Sequence, residues 1–111
     1  MKRKIIKSMN TFQDETYRCV ECEKSLQKNE VTNDWKCIYC KTSIVISAPL
    51  LDQEVIRKLP QEITTNDLFF LNHESHIISN KTKMEKGDYE FILKNYGTYK
   101  LGKETFAHIV Y

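Results

Sequence analysis

The chain reads as mostly β, a small α+β protein built as two modules joined by a short helix. Three observations carry this reading. All four cysteines fall in two C-x-x-C pairs, Cys19 with Cys22 and Cys37 with Cys40, inside the first forty residues. From residue 62 onward the chain divides into short runs of aromatic and β-branched residues separated by polar or glycine-containing turns, the pattern of a small antiparallel sheet. Between the halves, one stretch places apolar residues four apart. A chain of 111 residues holds one ordinary domain or two very small ones, and small domains often use metal to supplement a thin core. The cysteines organise only the first module, so the second must build its own core.

Residues 1–11 are expected to be a flexible basic arm with Lys2, Arg3 and Lys4 at its tip. Its opening is basic like that of a signal peptide, but Ile5 and Ile6 run straight into Lys7, Ser8 and Asn10, and no apolar stretch follows. No other segment approaches the length of a membrane span, so a cytoplasmic protein with no membrane partner is expected. That compartment suits reduced cysteines. The lysine-, asparagine- and isoleucine-rich composition, with three glycines, fits an AT-rich bacterial or phage genome.

Residues 12–48 form the metal-binding module. In each C-x-x-C pair a tight turn lets two sulfurs face one metal, and the fourteen intervening residues allow one hairpin to carry the second pair back over the first. Four thiolates around zinc make a closed tetrahedron with no position for a substrate or a catalytic water. One structural Zn2+ is therefore expected on Cys19, Cys22, Cys37 and Cys40. Iron suits the same ligands by geometry and softness. A redox dithiol would call for one pair beside a βαβ unit, and disulfides for an oxidising compartment.

The segment from Tyr17-Arg18-Cys19 to Cys22-Glu23-Lys24, with Trp35-Lys36-Cys37 to Cys40-Lys41, resembles a zinc ribbon, the rubredoxin-like paired knuckle of transcription factors, ribosomal proteins and primases. The resemblance covers about residues 15–46. Tyr17 and Trp35 match the aromatic position two residues before each first cysteine. Zinc ribbons favour glycine after the second cysteine of a knuckle, whereas Glu23 and Lys41 stand there in this chain. The resemblance implies a scaffold and a connection to nucleic-acid systems.

Ser43 to Ser47 is β-branched and reads as a short strand leaving the second knuckle. Residues 49–61 are a linker. Within it Leu51, Val55 and Leu59 recur every four residues, with acids before and bases after, predicting a two-turn helix over 52–59 that stops before Pro60. Residues 62–111 then supply five strands, over 67–71, 76–81, 89–94, 98–101 and 105–111. Lys86-Gly87-Asp88, Asn95-Tyr96-Gly97 and Gly102-Lys103-Glu104 serve as turns. Five short antiparallel strands avoid exposed edges by closing or curling. Their order and the Gly87-Asp88 turn are similar to SH3-like barrels; the alternative is a curled sheet packed on the 52–59 helix.

Catalysis is not expected. His73-Glu74-Ser75-His76 is the one cluster that could ligate a second metal or move protons, but it reads better as a polar turn entering a strand. There is no nucleophile motif, no P-loop and no dinucleotide fingerprint, so no small-molecule substrate is expected. Binding fits better. Lys81, Lys83 and Lys86 gather near one turn, Tyr96 and Tyr99 flank the next hairpin, and Trp35, Lys36, Tyr39 and Lys41 add a second group on the ribbon. Lysines neutralise phosphates while rings stack on bases, which suits single-stranded nucleic acid. The formal net charge of +2 is too small for a dedicated DNA-coating protein. The expected function is a non-catalytic accessory protein that binds nucleic acid in a replication, recombination or transcription assembly of a bacterium, phage or mobile element. The alternative is an adaptor or inhibitor docking on a larger enzyme, and in both cases a larger protein partner is expected.

Overall fold

The computed structural model describes residues 11–111, so Lys2, Arg3 and Lys4 of the expected arm lie outside the described residues. The chain separates into two compact units, one running to Ile56 and taking in Tyr111, the other spanning Arg57–Val110. Among the described residues there are nine strands and no α-helix, and every strand pairing with a described register is antiparallel.

In the first unit, β1 (Thr16–Cys19) lies between β2 (Lys24–Leu26) and β3 (Val45–Ser47). Tyr17 stands opposite Leu26 on one side and Ile46 on the other. Ile44, Val45 and Ile46 are buried in succession. A β-branched run of this kind forms a strand covered on both faces. The core is completed by Trp35, whose ring stands 6.1 Å from that of Tyr17. The two aromatic positions singled out by the ribbon resemblance thus meet each other.

The stretch expected as a helix over 52–59 is a strand instead. β4 (Val55–Lys58) is followed by a 3₁₀ turn over Pro60–Glu62, and Val55 pairs with Ile46. An apolar interval of four is two repeats of a strand as well as about one turn of a helix, so Leu51, Val55 and Leu59 do not discriminate between them. The β-branched pair Val55-Ile56 decides for the strand. Burial alternates accordingly: Val55 and Arg57 are buried, Ile56 and Lys58 half-buried. Glu54, one of the acids at the start of this stretch, accepts hydrogen bonds from Arg18, 36 residues away in sequence.

The second unit is a ladder in the order β9-β5-β6-β7-β8, from β5 (Leu68–Leu71), β6 (Glu74–Lys83), β7 (Tyr89–Leu93), β8 (Gly97–Leu101) and β9 (Ala107–Val110). The β5–β6 hairpin closes through Asn72 and His73, both at positive φ, the backbone of a two-residue type I′ turn. β6 pairs with β5 through its first half and with β7 through its second, and its register shifts between Ile78 and Asn80. That irregularity bends the ladder. Phe69, Phe91 and Ile109 are fully buried at its centre, and Phe69 meets Phe91 and Tyr99 edge to face at 5.1 and 5.4 Å. Arg57, only 1% exposed, donates from Nε to His108 Nε2 at 3.0 Å.

Candidate metal centre and nucleic-acid interface

β1 delivers Cys19 to the start of the first knuckle, and the chain reverses there to put Lys24 opposite Cys19. Cys22 N–H donates to the Cys19 sulfur at 3.3 Å, and Glu23 N–H closes the turn on Val20 O at 3.3 Å. The second knuckle closes through other bonds: Lys41 N–H donates to Cys37 O at 2.8 Å, and Cys37 N–H to Thr42 O at 2.8 Å. Glu23 and Lys41 adopt φ of 54° and 66°, the left-handed backbone that favours glycine. The departures from glycine therefore leave the turn geometry intact.

All four sulfurs lie within 4.8 Å of one another. Cys19 Sγ is 3.3 Å from Cys40 Sγ, and Cys22 Sγ is 3.8 Å from Cys37 Sγ. Zinc with four thiolates at about 2.3 Å has sulfur–sulfur edges of about 3.8 Å, so the cage fits the ion. A disulfide would need sulfurs about 2.0 Å apart, and all four cysteines are free. The donor set is that of one structural Zn2+ on Cys19, Cys22, Cys37 and Cys40.

As free thiols, Cys40 and Cys22 differ in acidity. Thr42 Oγ1 lies 3.0 Å from Cys40 Sγ and 3.5 Å from Cys19 Sγ. The Thr42 hydroxyl and its backbone N–H, followed by Cys19, bring the Cys40 thiol down to about 6. Hydrogen bonds to Cys40 and Cys19, with burial, push Cys22 up to about 12. A hydroxyl that favours thiolate favours the form a metal binds. Thr42 was not legible as part of the site, because its reach depends on the left-handed turn at Lys41.

A model of the Ribosomal L37ae protein family matches residues 1–64, more than half of the chain. The chain belongs to the Ribosomal L37ae protein family. No curated protein and no solved structure matches it. L37ae proteins are non-catalytic structural components of the ribosome. Membership overturns the expectation of a replication, recombination or transcription assembly, and with it the alternative of an adaptor or inhibitor on a larger enzyme. Paired knuckles recur in all those systems, so cysteine spacing alone could not separate them. Among the described residues the cysteines are the only cluster of metal-ligating side chains, and His73 and His76 join none. His73 stands against Phe70, and His76 against Tyr96.

The L37ae ribbon sorts the expected contact residues by exposure. Trp35 is 2% exposed, so its ring belongs to the core and has no face for a base. That corrects its place in the expected surface: an aromatic next to lysine reads the same whether it points inward or outward. Tyr39 is 58% exposed at the tip of the second knuckle, with Lys24 Nζ 4.5 Å from its ring centroid and its hydroxyl donating to Glu30. Lys41 is exposed and donates to Ile38 O, while Lys36 is half-buried. In the second unit Lys83 and Lys86 are exposed. Lys81 is engaged, donating to Ile63 O at 2.7 Å with Tyr89's ring 5.1 Å away. Tyr96 is exposed and Tyr99 half-buried, their rings 6.4 Å apart. Lys24 was absent from the expected set; its pairing with Tyr39 appears only once the knuckles face each other.

Proposed function

We propose that this chain is a structural component of the cytoplasmic ribosome whose zinc ribbon binds rRNA. The family match over residues 1–64 carries the reading. The exposed ring of Tyr39, flanked by Lys24 and next to Lys41 in the second knuckle, supports it. Lysines there neutralise phosphates, and the ring offers a face to an unpaired base, the usual mode of contact with irregular rRNA. Glu30 accepts hydrogen bonds from Gln27 N–H and Tyr39, which hold its carboxyl below the usual range and keep the acceptor ionised. The zinc holds the two knuckles at a fixed spacing and takes no part in chemistry.

In this reading neighbouring ribosomal proteins are the protein partners, and the bent ladder of the second unit, which its turns liken to an SH3-like barrel, is a second platform. Lys83, Lys86 and Tyr96 are its exposed candidates for contact. The test is co-sedimentation of the tagged chain with ribosomal particles on a sucrose gradient, together with titration of rRNA fragments and DNA of matched sequence at two salt concentrations. Co-migration, with affinity for rRNA that falls steeply with salt, is expected. A chain that stays at the top of the gradient at low salt, with equal affinity for DNA, overturns the reading.

A further inference from the structure

Three turns of the second unit meet around one cavity of about 320 Å³, lined by Gln61, Lys83, Gly87, Tyr89 and Lys103. All but Gln61 lie beyond the family-matched segment. Gly87 sits at φ +96° in the β6–β7 turn, and the stem of Lys103, from the β8–β9 turn, lies against it. A Cβ at position 87 would stand 3.2 Å from Lys103 Cδ and 3.7 Å from its Nζ. The glycine thus makes room for a lysine from another turn.

The charge in this cavity lacks a counter-charge. Among the described residues neither the Lys83 nor the Lys103 ammonium makes an ion pair or a hydrogen bond. Two other lysines of the unit have partners, Lys58 with Asp67 at 3.1 Å and Lys81 with Ile63 O; Lys86, Lys94 and Lys100 stand outside the cavity. Glu85, Asp88 and Glu104 stand on the same turns but do not line the cavity. Asp88 Oδ1 lies instead 3.9 Å from where a Cβ on Gly102 would be. Two ammonium groups lining one concavity repel each other unless an anion sits between them. The Gln61 amide and the Tyr89 hydroxyl are uncharged groups able to donate to its oxygens.

We propose that this cavity is a phosphate site that seats a backbone phosphodiester of rRNA, giving the second unit an RNA contact of its own. The proposal rests on the reading of the chain as an rRNA-binding ribosome component. Its test compares zinc-loaded full-length wild type with Lys83→Ala, Lys103→Ala and the control Lys100→Ala, which removes the same charge from β8 outside the cavity.

Each protein is titrated with a short single-stranded RNA over a salt series while amide shifts of Gly87 and Lys103 are followed. The expected result is a loss of several-fold in affinity for each cavity variant, with a salt slope lower by about 1 and no change for Lys100→Ala. Gly87→Ala, which displaces Lys103 while keeping the charge, should weaken binding in the same direction. Equal losses for Lys100→Ala and Lys103→Ala overturn the site, as does RNA binding that leaves the Gly87 and Lys103 amides unmoved. Displacement of RNA from the cavity by an acidic peptide at equal concentration also overturns it, assigning the groove to a protein segment. If wild type co-sediments with ribosomes and both cavity variants bind RNA normally, the site fails alone. If wild type co-sediments with ribosomes but binds no free RNA, the site fails alone; if it does neither, both readings fail.

Discussion

Glu23 and Lys41, each following the second cysteine of its knuckle, hold the same left-handed backbone at φ 54° and 66°. Two L-residues therefore pay a steric cost of about 1–2 kcal/mol each that glycine would avoid. Glycine returns part of that gain, because it loses more freedom on folding, by roughly 0.5–1 kcal/mol. The balance predicts that Glu23→Gly stabilises the zinc-loaded ribbon by about 0.5–1 kcal/mol. Lys41→Gly should gain less, since it also removes the ammonium bond to Ile38 O. Guanidinium unfolding of the zinc-loaded proteins measures both, and a lower midpoint for Glu23→Gly would contradict the strain argument.

Thr42 is predicted to set how far the cage can be acidified before it releases metal. Its hydroxyl is the largest cause of the lowered Cys40 thiol, 3.0 Å from the sulfur. Thr42→Val keeps the shape and removes the donor. Cys40 then needs a higher pH to ionise, so protons compete with metal more successfully and zinc release on acidification moves to higher pH. Loss of such a supporting bond typically costs about 10–100-fold in metal affinity. Zinc release followed with a chromogenic chelator across a pH series reads the shift; coincident curves for wild type and Thr42→Val would remove Thr42 from the site.

The Arg18–Glu54 pair gives a prediction in pH. Arg18 donates to both carboxylate oxygens of Glu54, at 2.6 and 3.1 Å, and Ser47 adds a third bond at 2.8 Å. Arg18 first and Ser47 second hold the Glu54 carboxyl below its ordinary value. A carboxyl lowered on folding contributes stability that is fully present above its unfolded pKa, about 4.3, and is lost as pH falls through the folded value. The destabilisation caused by Glu54→Gln should therefore be constant from pH 7 to about 5 and shrink only below about 4.3. Both side chains are more than a third exposed, so the effect is small and weakens with salt. Paired denaturant curves at several pH values test it; a cost that already decays between pH 7 and 5 would mean that another group governs.

What could be read from the chain follows from where each kind of information resides. The metal ligands were legible because identity and spacing of cysteines encode coordination directly, and Tyr17 with Trp35 because the ribbon pattern places them. The strands around Phe69, Phe91 and Ile109 were legible because aromatic and β-branched runs alternate between turn residues. The helix over 52–59 was misread because four-residue spacing serves both periods, and the pairing of Val55 with Ile46 lies outside any local window. Trp35 was misplaced, and Arg57 gave no sign of its burial, for a related reason. Whether a side chain beside charged neighbours points inward depends on partners far away in sequence, such as His108 for Arg57. The family came from the match over residues 1–64, since one cage geometry serves many assemblies.

The two units are predicted to fail separately. Structural zinc contributes on the order of 10 kcal/mol to small zinc domains, about as much as the whole stability of an ordinary domain. Removing it by chelation or by Cys37→Ser should unfold the ribbon around Trp35 and Ile44. The second unit holds no cysteine, and its core of Phe69, Phe91 and Ile109 is complete among its own strands. Phe91→Ala should cost that core about 3–5 kcal/mol, enough to unfold a unit of this size while zinc stays bound. Amide spectra of the two variants, with metal content measured on the same samples, distinguish the cases. Cys37→Ser should erase dispersed signals up to Ile56 and keep those of Arg57–Val110, and Phe91→Ala should do the reverse. Collapse of all signals in both variants would show that the chain folds as one cooperative body, with zinc supporting the second core as well as the first.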